Sequence, residues 1–243
     1  MNLIVDVGNT RIKCALFENN TLLEKFIFLK NEFQNSVEKI LENHKNLKNI
    51  VVASVGSIDK RDFLVFESRA NLFFFSNLAN FPFENLYQTP KTAGIDRLVL
   101  AAGAVLQFPN KNRLVIDVGT CVTYDFINQK NEYLGGAISP GFRLRYESLH
   151  EFTAKLPLLS LEIPENIIGN STSESIHSGV FFGLINEIDG FIDQYKVQYL
   201  NFIIILTGGD TEILAKRLKN TIFANSNFLL ESLNRTFQYI NQK

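Results

Sequence analysis

Hydrophobic and polar positions along the chain form blocks that predict strands and helices in alternation. Apolar, β-branched runs predict buried strands beginning at Leu3, Asn49, Leu114 and Ile203. Hydrophobic residues at helical spacing predict helices at 31–46, 94–108, 171–195, 211–219 and 227–241. A further helix is expected to open at Ser139-Pro140-Gly141, with Pro140 at its first position. This alternation indicates an α/β fold.

Two distant segments of the chain have almost the same sequence. Leu3-Ile-Val-Asp-Val-Gly-Asn-Thr10 and Leu114-Val-Ile-Asp-Val-Gly-Thr120 each place an Asp and a Gly at the end of a buried strand. The residues that follow each copy predict a return strand and then a polar turn, so the repeated unit is a hairpin. A single copy favours nothing more than a strand and a tight turn. Two copies favour a shared chemical role.

The residue types in the repeat suit phosphate chemistry. A Gly lets a phosphate approach main-chain N–H groups, and a neighbouring Asp can hold the metal ion that accompanies the phosphate. Two such turns facing each other would form a cleft with phosphate-binding groups on both walls. The pattern therefore predicts an ATP-using phosphotransferase.

Composition supports two packed lobes and excludes several function classes. The chain has 243 residues, 46% of them hydrophobic, and a net charge of −1, which does not indicate a nucleic-acid groove. No uncharged apolar run reaches the roughly twenty residues of a membrane span. The two cysteines, Cys14 and Cys121, are expected to be buried thiols in a reducing cytoplasm. A polar break at 110–112 predicts an N-terminal lobe at 1–111 and a C-terminal lobe at 112–243.

Asp96 and Arg97 open a predicted helix, where free N–H groups and the helix dipole favour anions. A charge pair at the helix start is one interpretation. The other is a catalytic pair, in which Asp96 accepts a proton from a hydroxyl substrate and Arg97 binds an acidic group of that substrate by two parallel bonds.

Seven motifs together resemble type III pantothenate kinases. They are Asp6-Val-Gly-Asn-Thr10, Gly94-Ile-Asp-Arg97, Asp117-Val-Gly-Thr120, Gly135-Gly-Ala-Ile-Ser-Pro-Gly141, Thr153-Ala-Lys-Leu-Pro157, Gly169-Asn-Ser-Thr172 and Leu206-Thr-Gly-Gly209. The resemblance spans almost the whole chain. It implies two ribonuclease-H-like (actin-like ATPase) lobes related by an internal duplication, with an ATP cleft between them.

The resemblance also implies an activity and its partners. The activity is ATP-dependent phosphorylation of pantothenate to 4′-phosphopantothenate, the first step of coenzyme A synthesis. ATP would be used with Mg²⁺ or another divalent ion, together with K⁺ or NH₄⁺ as a monovalent cation. The family further implies a cytoplasmic homodimer, with no nucleic-acid or membrane partner.

Site residues follow from the same resemblance. Asp96 matches the proton acceptor, and Asp117 matches the ligand of the monovalent cation. The ATP-binding positions are Asp6, Val7, Gly8, Asn9, Thr10, Arg11, Ile12, Lys13 and Thr120. The substrate-binding positions are Tyr87, Gly94, Ile95, Asp96, Arg97 and Thr172. For Tyr87, an ordinary buried tyrosine is the alternative interpretation.

Two rival functions share part of this pattern. Another kinase of the same fold, such as a sugar, acetate or hexosamine kinase, would also have the Asp-Gly turns, although Gly94-Ile-Asp-Arg97 and Gly169-Asn-Ser-Thr172 argue against it. A transcription-related regulator is the second, because members of the family have been described as Bvg accessory factor. The intact Asp6, Asp96 and Asp117 favour an enzyme.

Overall fold

The computed structural model describes residues 1–8, 10–54 and 58–242, and strands alternate with helices along them. The strands are β1 (Asn2–Val7), β2 (Ile12–Glu18), β3 (Thr21–Phe28), β4 (Asn49–Ser54), β5 (Asn71–Phe74), β6 (Glu84–Asn85), β7 (Asn112–Val118), β8 (Cys121–Ile127), β9 (Glu132–Pro140), β10 (Phe202–Thr207) and β11 (Phe223–Ala224). The helices are α1 (Phe33–Asn43), α2 (Lys60–Phe63), α3 (Ile95–Gln107), α4 (Phe142–Glu151), α5 (Thr172–Gln198), α6 (Thr211–Ala215) and α7 (Phe228–Asn241).

The chain divides into two compact units. The first unit contains 1–110, 130–134 and 227–243, and the second contains 111–129 and 135–226. The predicted boundary after residue 111 lies one residue from position 110, where the first segment of the first unit ends. The prediction also placed the last helix in the C-terminal lobe. In the structure α7 packs in the first unit, because its Leu233 and Phe237 share a hydrophobic cluster with Ile4 and Val99. Duplication of whole lobes stays a prediction.

The sheet of the first unit has the strand order β3-β2-β1-β4-β5. Its central strand β1 pairs antiparallel with β2 and parallel with β4. Leu3 and Val5 pack into a cluster on one face, while Ile4 packs on the other face with residues of α3 and α7. Burial on both faces explains why the strand is a continuous apolar run. Asp6 lies near the end of this buried strand.

Helices cover the two faces of this sheet. The buried residues of α1 are Phe33, Val37, Ile40 and Leu41, at the spacing that predicted the helix. In α3 most residues from Ile95 to Val105 are buried. A small side chain is required at Gly103, since a Cβ there would overlap the hydroxyl of Ser232 in α7. This close approach fixes the position of α3, which begins at the predicted Asp96–Arg97 pair.

The sheet of the second unit has β11-β10-β7-β8-β9 in order. β7 pairs antiparallel with β8 and parallel with β10. Ile116 and Val118 of β7 pack into the main cluster of this unit together with residues of α4 and α5. β9 begins in the first unit, where β6 pairs parallel with it through Glu84 and Glu132. The antiparallel pairs β1–β2 and β7–β8 confirm both predicted hairpins.

Some sequence predictions hold and others fail. Ser171 caps α5, and its hydroxyl accepts a hydrogen bond of 3.2 Å from the backbone N–H of Glu174. The helix expected to open at Pro140 instead begins at Phe142, because Pro140 is still part of β9 and the N–H of Gly141 donates to the carbonyl of Thr120. α6 ends at Ala215, earlier than predicted.

The prediction that both cysteines are buried is wrong for Cys121. Cys14 is buried within β2, whereas Cys121 is exposed as the first residue of β8, directly after a turn. An apolar pattern cannot distinguish these positions, since both residues follow the same repeated motif. Among the described helices, none combines the length and the apolar character that a membrane crossing requires.

Candidate active site

The first Asp-Gly turn joins β1 to β2. Asp6 is 7% exposed and lies opposite Lys13 in the antiparallel pair. The N–H of Gly8 donates to the carbonyl of Arg11 at 3.2 Å and closes the turn. This amide is thus engaged within the turn itself. Asn9, one of the predicted ATP-binding residues, lies outside the described residues.

The side chains of this turn divide by exposure. Val7 and Ile12 have fully buried side chains, so only their backbone atoms can serve a ligand. Thr10 and Arg11 are exposed and Lys13 is half-buried. The turn therefore presents one hydroxyl and two cationic side chains. These groups are suited to binding phosphate oxygens.

A buried thiol lies behind the turn. Burial raises the pKa of Cys14 well above its usual value, and the negative charge of Asp6 raises it further. Cys14 therefore stays a neutral thiol and acts as a small packing residue.

The Gly94-Ile-Asp-Arg97 motif forms the start of α3. Gly94 precedes the helix, and its carbonyl accepts the first helical hydrogen bond, of 3.2 Å, from the N–H of Leu98. Ile95 is buried and Asp96 is half-buried. Asp96 Oδ1 accepts a hydrogen bond of 2.9 Å from the backbone N–H of Arg97. The carboxylate is thereby oriented by the amino end of the helix that carries it.

Arg97 stacks on Tyr87. The guanidinium carbon lies 5.7 Å from the centre of the Tyr87 ring, a cation–π distance. Arg97 is only 5% exposed, and Tyr87 is half-buried with its ring 6.1 Å from that of Tyr133. The structure thus brings Tyr87 to the predicted Asp96–Arg97 pair, from a separate loop. This pairing is compatible with a substrate contact and with an ordinary packing role for Tyr87.

The second Asp-Gly turn joins β7 to β8. The N–H of Gly119 donates to the carbonyl of Cys121 at 2.9 Å, which closes this turn as Gly8 closes the first. Thr120 is half-buried. Its carbonyl accepts the N–H of Gly141 at 3.0 Å, and a Cβ on Gly141 would overlap this turn. The glycine at 141 therefore allows two segments of backbone to meet beside Thr120.

Asp117 lies near the end of β7 and is half-buried. Gly208 packs against it from the end of β10. A Cβ on Gly208 would lie 2.5 Å from Asp117 Oδ1, and Gly208 has a φ of +100°, which favours glycine. Within the described part of the chain, no group of three or more His, Cys, Asp and Glu side chains forms a cluster suited to a metal ion.

Thr172 lies in the second unit beside a cavity of about 900 Å³. It is exposed and forms the first residue of α5. The cavity is lined by polar and apolar residues of α4, of α5 and of the segment between them: Arg145, Ser148, Leu149, Leu156, Gly169, Asn170, Ser171, Thr172, Ser175, Ile176, Gly179 and Val180. Its mixed lining suits a small molecule with polar and apolar parts.

Glu187 and Arg145 were not predicted from the sequence. Arg145 Nη2 donates to Glu187 Oε2 at 2.5 Å, and Tyr124 and Ser139 donate to Glu187 Oε1. Burial raises the pKa of Glu187, but the hydrogen bonds from Ser139 and Arg145 outweigh it and leave the pKa below its usual value. Arg145 is thereby fixed at the cavity wall. Glu187 and its three partners lie in four separate elements, so no local motif signals this cluster.

Comparison with known proteins identifies the family. The family model described as type III pantothenate kinase matches residues 2–194. A protein of Flavobacterium johnsoniae named type III pantothenate kinase is 64% identical over 239 residues, covering 98% of each chain.

Solved structures agree in fold. A Baf family protein of Campylobacter jejuni superposes with a TM-score of 0.62 at 19% identity, over 99% of this chain and 100% of the other. A glucokinase from an Antarctic psychrotroph gives a TM-score of 0.51 at 12% identity, over 98% of each chain. These likenesses show the fold alone, and they agree with the predicted α/β class. The chain belongs to the type III pantothenate kinase family.

Proposed function

We propose that this protein transfers the terminal phosphoryl group of ATP to pantothenate and forms 4′-phosphopantothenate for coenzyme A synthesis. The observation that carries the proposal is 64% identity, over 98% of the chain, to a protein named type III pantothenate kinase. The rival of a sugar kinase has only the fold in its favour, since the glucokinase is 12% identical.

In this proposal Asp96 is the general base. Phosphoryl transfer depends mainly on positioning and charge neutralisation, with a carboxylate taking the proton of the attacking hydroxyl. The backbone N–H of Arg97 holds Asp96 Oδ1 at 2.9 Å, which supports a fixed orientation for the carboxylate. Asp96 would receive the proton as the hydroxyl attacks the phosphorus atom.

Arg97 and Tyr87 would recognise the substrate beside that base. Pantothenate has a carboxylate, and a guanidinium can bind a carboxylate through two parallel hydrogen bonds. The cation–π contact with Tyr87, at 5.7 Å, would restrict the position of the guanidinium. Ile95 is buried and would contribute through its backbone, as would Gly94. Thr172 stays a substrate-binding position implied by the resemblance, and it lies at the cavity of the second unit.

The two Asp-Gly turns would bind ATP. Gly8 and Gly119 use their N–H groups to close the turns, so side chains become the more important phosphate ligands. Thr10, Lys13 and Thr120 offer two hydroxyls and one ammonium group for this role. Asp6, at the end of β1, would orient the divalent ion that accompanies ATP.

A monovalent cation would be held by Asp117. Its carboxylate supplies a negatively charged oxygen donor near the end of β7, and this donor fits a singly charged hard cation. When bound, such an ion would neutralise negative charge near the phosphates. A cytoplasmic location and a homodimer remain predictions of the resemblance; sedimentation of the purified protein would test the dimer.

The decisive experiment is ADP release that depends on pantothenate. We expect Asp96→Asn to lower kcat by about two to four orders of magnitude while ATP binding is retained, because the amide keeps the shape and loses the base. Asp59→Asn is the matched control, since Asp59 is also a carboxylate at a helix start that accepts from a backbone N–H, in this case of Arg61.

Two results would contradict the proposal. Turnover near that of the wild type in Asp96→Asn would remove Asp96 from the mechanism. ADP release with a hexose or acetate but not with pantothenate would replace the proposed substrate.

A further inference from the structure

We propose that the hydroxyl of Thr207 is a second oxygen ligand, beside Asp117, for a monovalent cation in the second unit. The inference rests on the cation site proposed above and names a residue that the family resemblance does not assign. The Oγ1 atom of Thr207 is buried and has no hydrogen-bond partner among the described residues.

Three oxygen-bearing side chains lie in one row across the second sheet. Asp117 of β7 is in register with Thr123 of β8 and with Thr207 of β10. Residues in register on neighbouring strands project to the same face of a sheet, and successive residues alternate between faces. Ile116 and Val118 face the main cluster of this unit, so Asp117 and its two neighbours lie on the opposite face.

Thr207 is the unusual member of this row. It is 1% exposed, and its Oγ1 has no hydrogen-bond partner among the described residues. Burying a hydroxyl without a partner is unfavourable, and most buried polar atoms in folded proteins are satisfied. A bound group that offers Thr207 a favourable contact would remove this penalty.

The surrounding backbone holds Thr207 close to Asp117. Asp210 N donates to the carbonyl of Val118 at 3.3 Å, which ties the end of β10 to the end of β7. Gly208, the residue after Thr207, approaches the Asp117 carboxylate so closely that a Cβ would lie 2.5 Å from Oδ1. Thr207 and Asp117 are therefore direct neighbours across two paired strands, on the same face of the sheet.

The chemistry of this pair favours a monovalent cation. One carboxylate with neutral hydroxyls supplies a single negative charge and only oxygen donors, which balances one positive charge. A divalent ion such as Mg²⁺ is held through carboxylates together with substrate phosphates and demands near-octahedral geometry. A water molecule is the competing occupant, and it would show no preference between cations.

The test measures cation binding in the nucleotide-free protein. The melting temperature is recorded against KCl at constant ionic strength, with choline chloride as the balancing salt, and thallium NMR reports Tl⁺ as a stand-in for K⁺. Thr207→Val removes the hydroxyl and keeps the shape, and Thr207→Ser keeps the hydroxyl. Thr236→Val is the matched control, because Thr236 is fully buried in α7 and its hydroxyl also has no partner among the described residues.

We expect Thr207→Val to weaken K⁺ and Tl⁺ binding at least about tenfold, in the range seen when a group supporting a metal site is lost. Thr207→Ser should retain most of the affinity, and Thr236→Val should retain all of it. If Thr207→Val does not fold, anomalous scattering from Tl⁺ in wild-type crystals decides the question: a peak in contact with Thr207 Oγ1 supports the inference and a peak elsewhere overturns it.

Other outcomes separate the inference from the proposals it rests on. Unchanged affinity in Thr207→Val, with affinity lost in Asp117→Asn, would overturn the role of Thr207 and leave the cation site standing. No cation effect in the wild type would overturn both the role of Thr207 and the cation site. Pantothenate-dependent ADP release, measured separately, would still decide the kinase activity.

Discussion

Gly94→Ala is expected to displace the proposed catalytic base without straining the backbone. Gly94 has φ −59° and ψ 133°, a conformation that alanine adopts readily. The added Cβ, however, would overlap Asp96 Oδ1, and it would lie 3.6 Å from Asp96 Cγ and 3.7 Å from Arg97 Cδ. The carboxylate must therefore rotate away and lose its bond to the N–H of Arg97.

The backbone cannot easily relieve this overlap. Asn77 Nδ2 donates to the carbonyls of Lys91 and Ala93 at 3.1 and 2.5 Å, which anchors the segment before Gly94. On the other side, the carbonyl of Gly94 accepts the first hydrogen bond of α3. The side chain of Asp96 is therefore the part that moves.

Gly94→Ala should lower kcat strongly and the free energy of unfolding only slightly. A misplacement of about 1 Å in a catalytic group can cost about 10²-fold in rate, and complete loss of the base sets a limit near 10⁴-fold. Losing the hydrogen bond at the helix start lowers the free energy of unfolding by about 0.5–2 kcal/mol. Replacing Gly by Ala in a compatible conformation raises it by about 0.4–1 kcal/mol. The free energy of unfolding should thus fall by no more than about 1.6 kcal/mol.

The assay is pantothenate-dependent ADP release, with the melting temperature measured on the same samples. Gly190→Ala is the control, because Gly190 is an exposed helical position where a Cβ would meet nothing within 4 Å. A kcat for Gly94→Ala close to that of Gly190→Ala would refute the reasoning, since it would mean that the orientation of Asp96 does not matter. A large loss of stability would show that the overlap is relieved by the backbone.

Two further predictions concern the substrate and the turn beside Asp117. Arg97→Lys should raise the KM for pantothenate far more than the KM for ATP. Pantothenol, which has no carboxylate, should be a poor substrate of the wild type, and its turnover should fall little further in the variant. Equal changes in both KM values would assign Arg97 to the fold or to phosphate binding. Gly208→Ala should lower the free energy of unfolding by roughly 2–5 kcal/mol in urea denaturation, because it combines a positive φ with overlap of the Val118 carbonyl and Asp117. Gly209→Ala is its control, since a Cβ there meets nothing within 4 Å, and an equal loss in both variants would disprove the explanation.

Local sequence determined the elements that bear the proposed chemistry. The run before Asp6 is apolar at every position because β1 is buried on both faces, and the same pattern identified β7 before Asp117. The capping hydroxyl of Ser171 and the helical spacing in α1 were equally readable, since both depend on neighbours within one helical turn.

The sequence could not assign the last helix to a unit. An amphipathic pattern shows that α7 has one apolar face, but not which surface covers that face. The structure packs Leu233 and Phe237 against residues of the first unit, far away along the chain. The exposure of Cys121 was missed for a related reason, because burial depends on what lies across a turn and not on the turn's own sequence.

Contacts between distant residues were decided only by the tertiary structure. The stacking of Arg97 on Tyr87 and the hydrogen bond of Arg145 to Glu187 each join elements whose separation along the chain has no periodic signal. The unsatisfied hydroxyl of Thr207 became evident only when β10 was placed in register beside β7. Motifs predicted which residues carry the proposed chemistry, because a strand end or a helix start is encoded locally. Pairing and burial decided what those residues touch, because both depend on the whole fold.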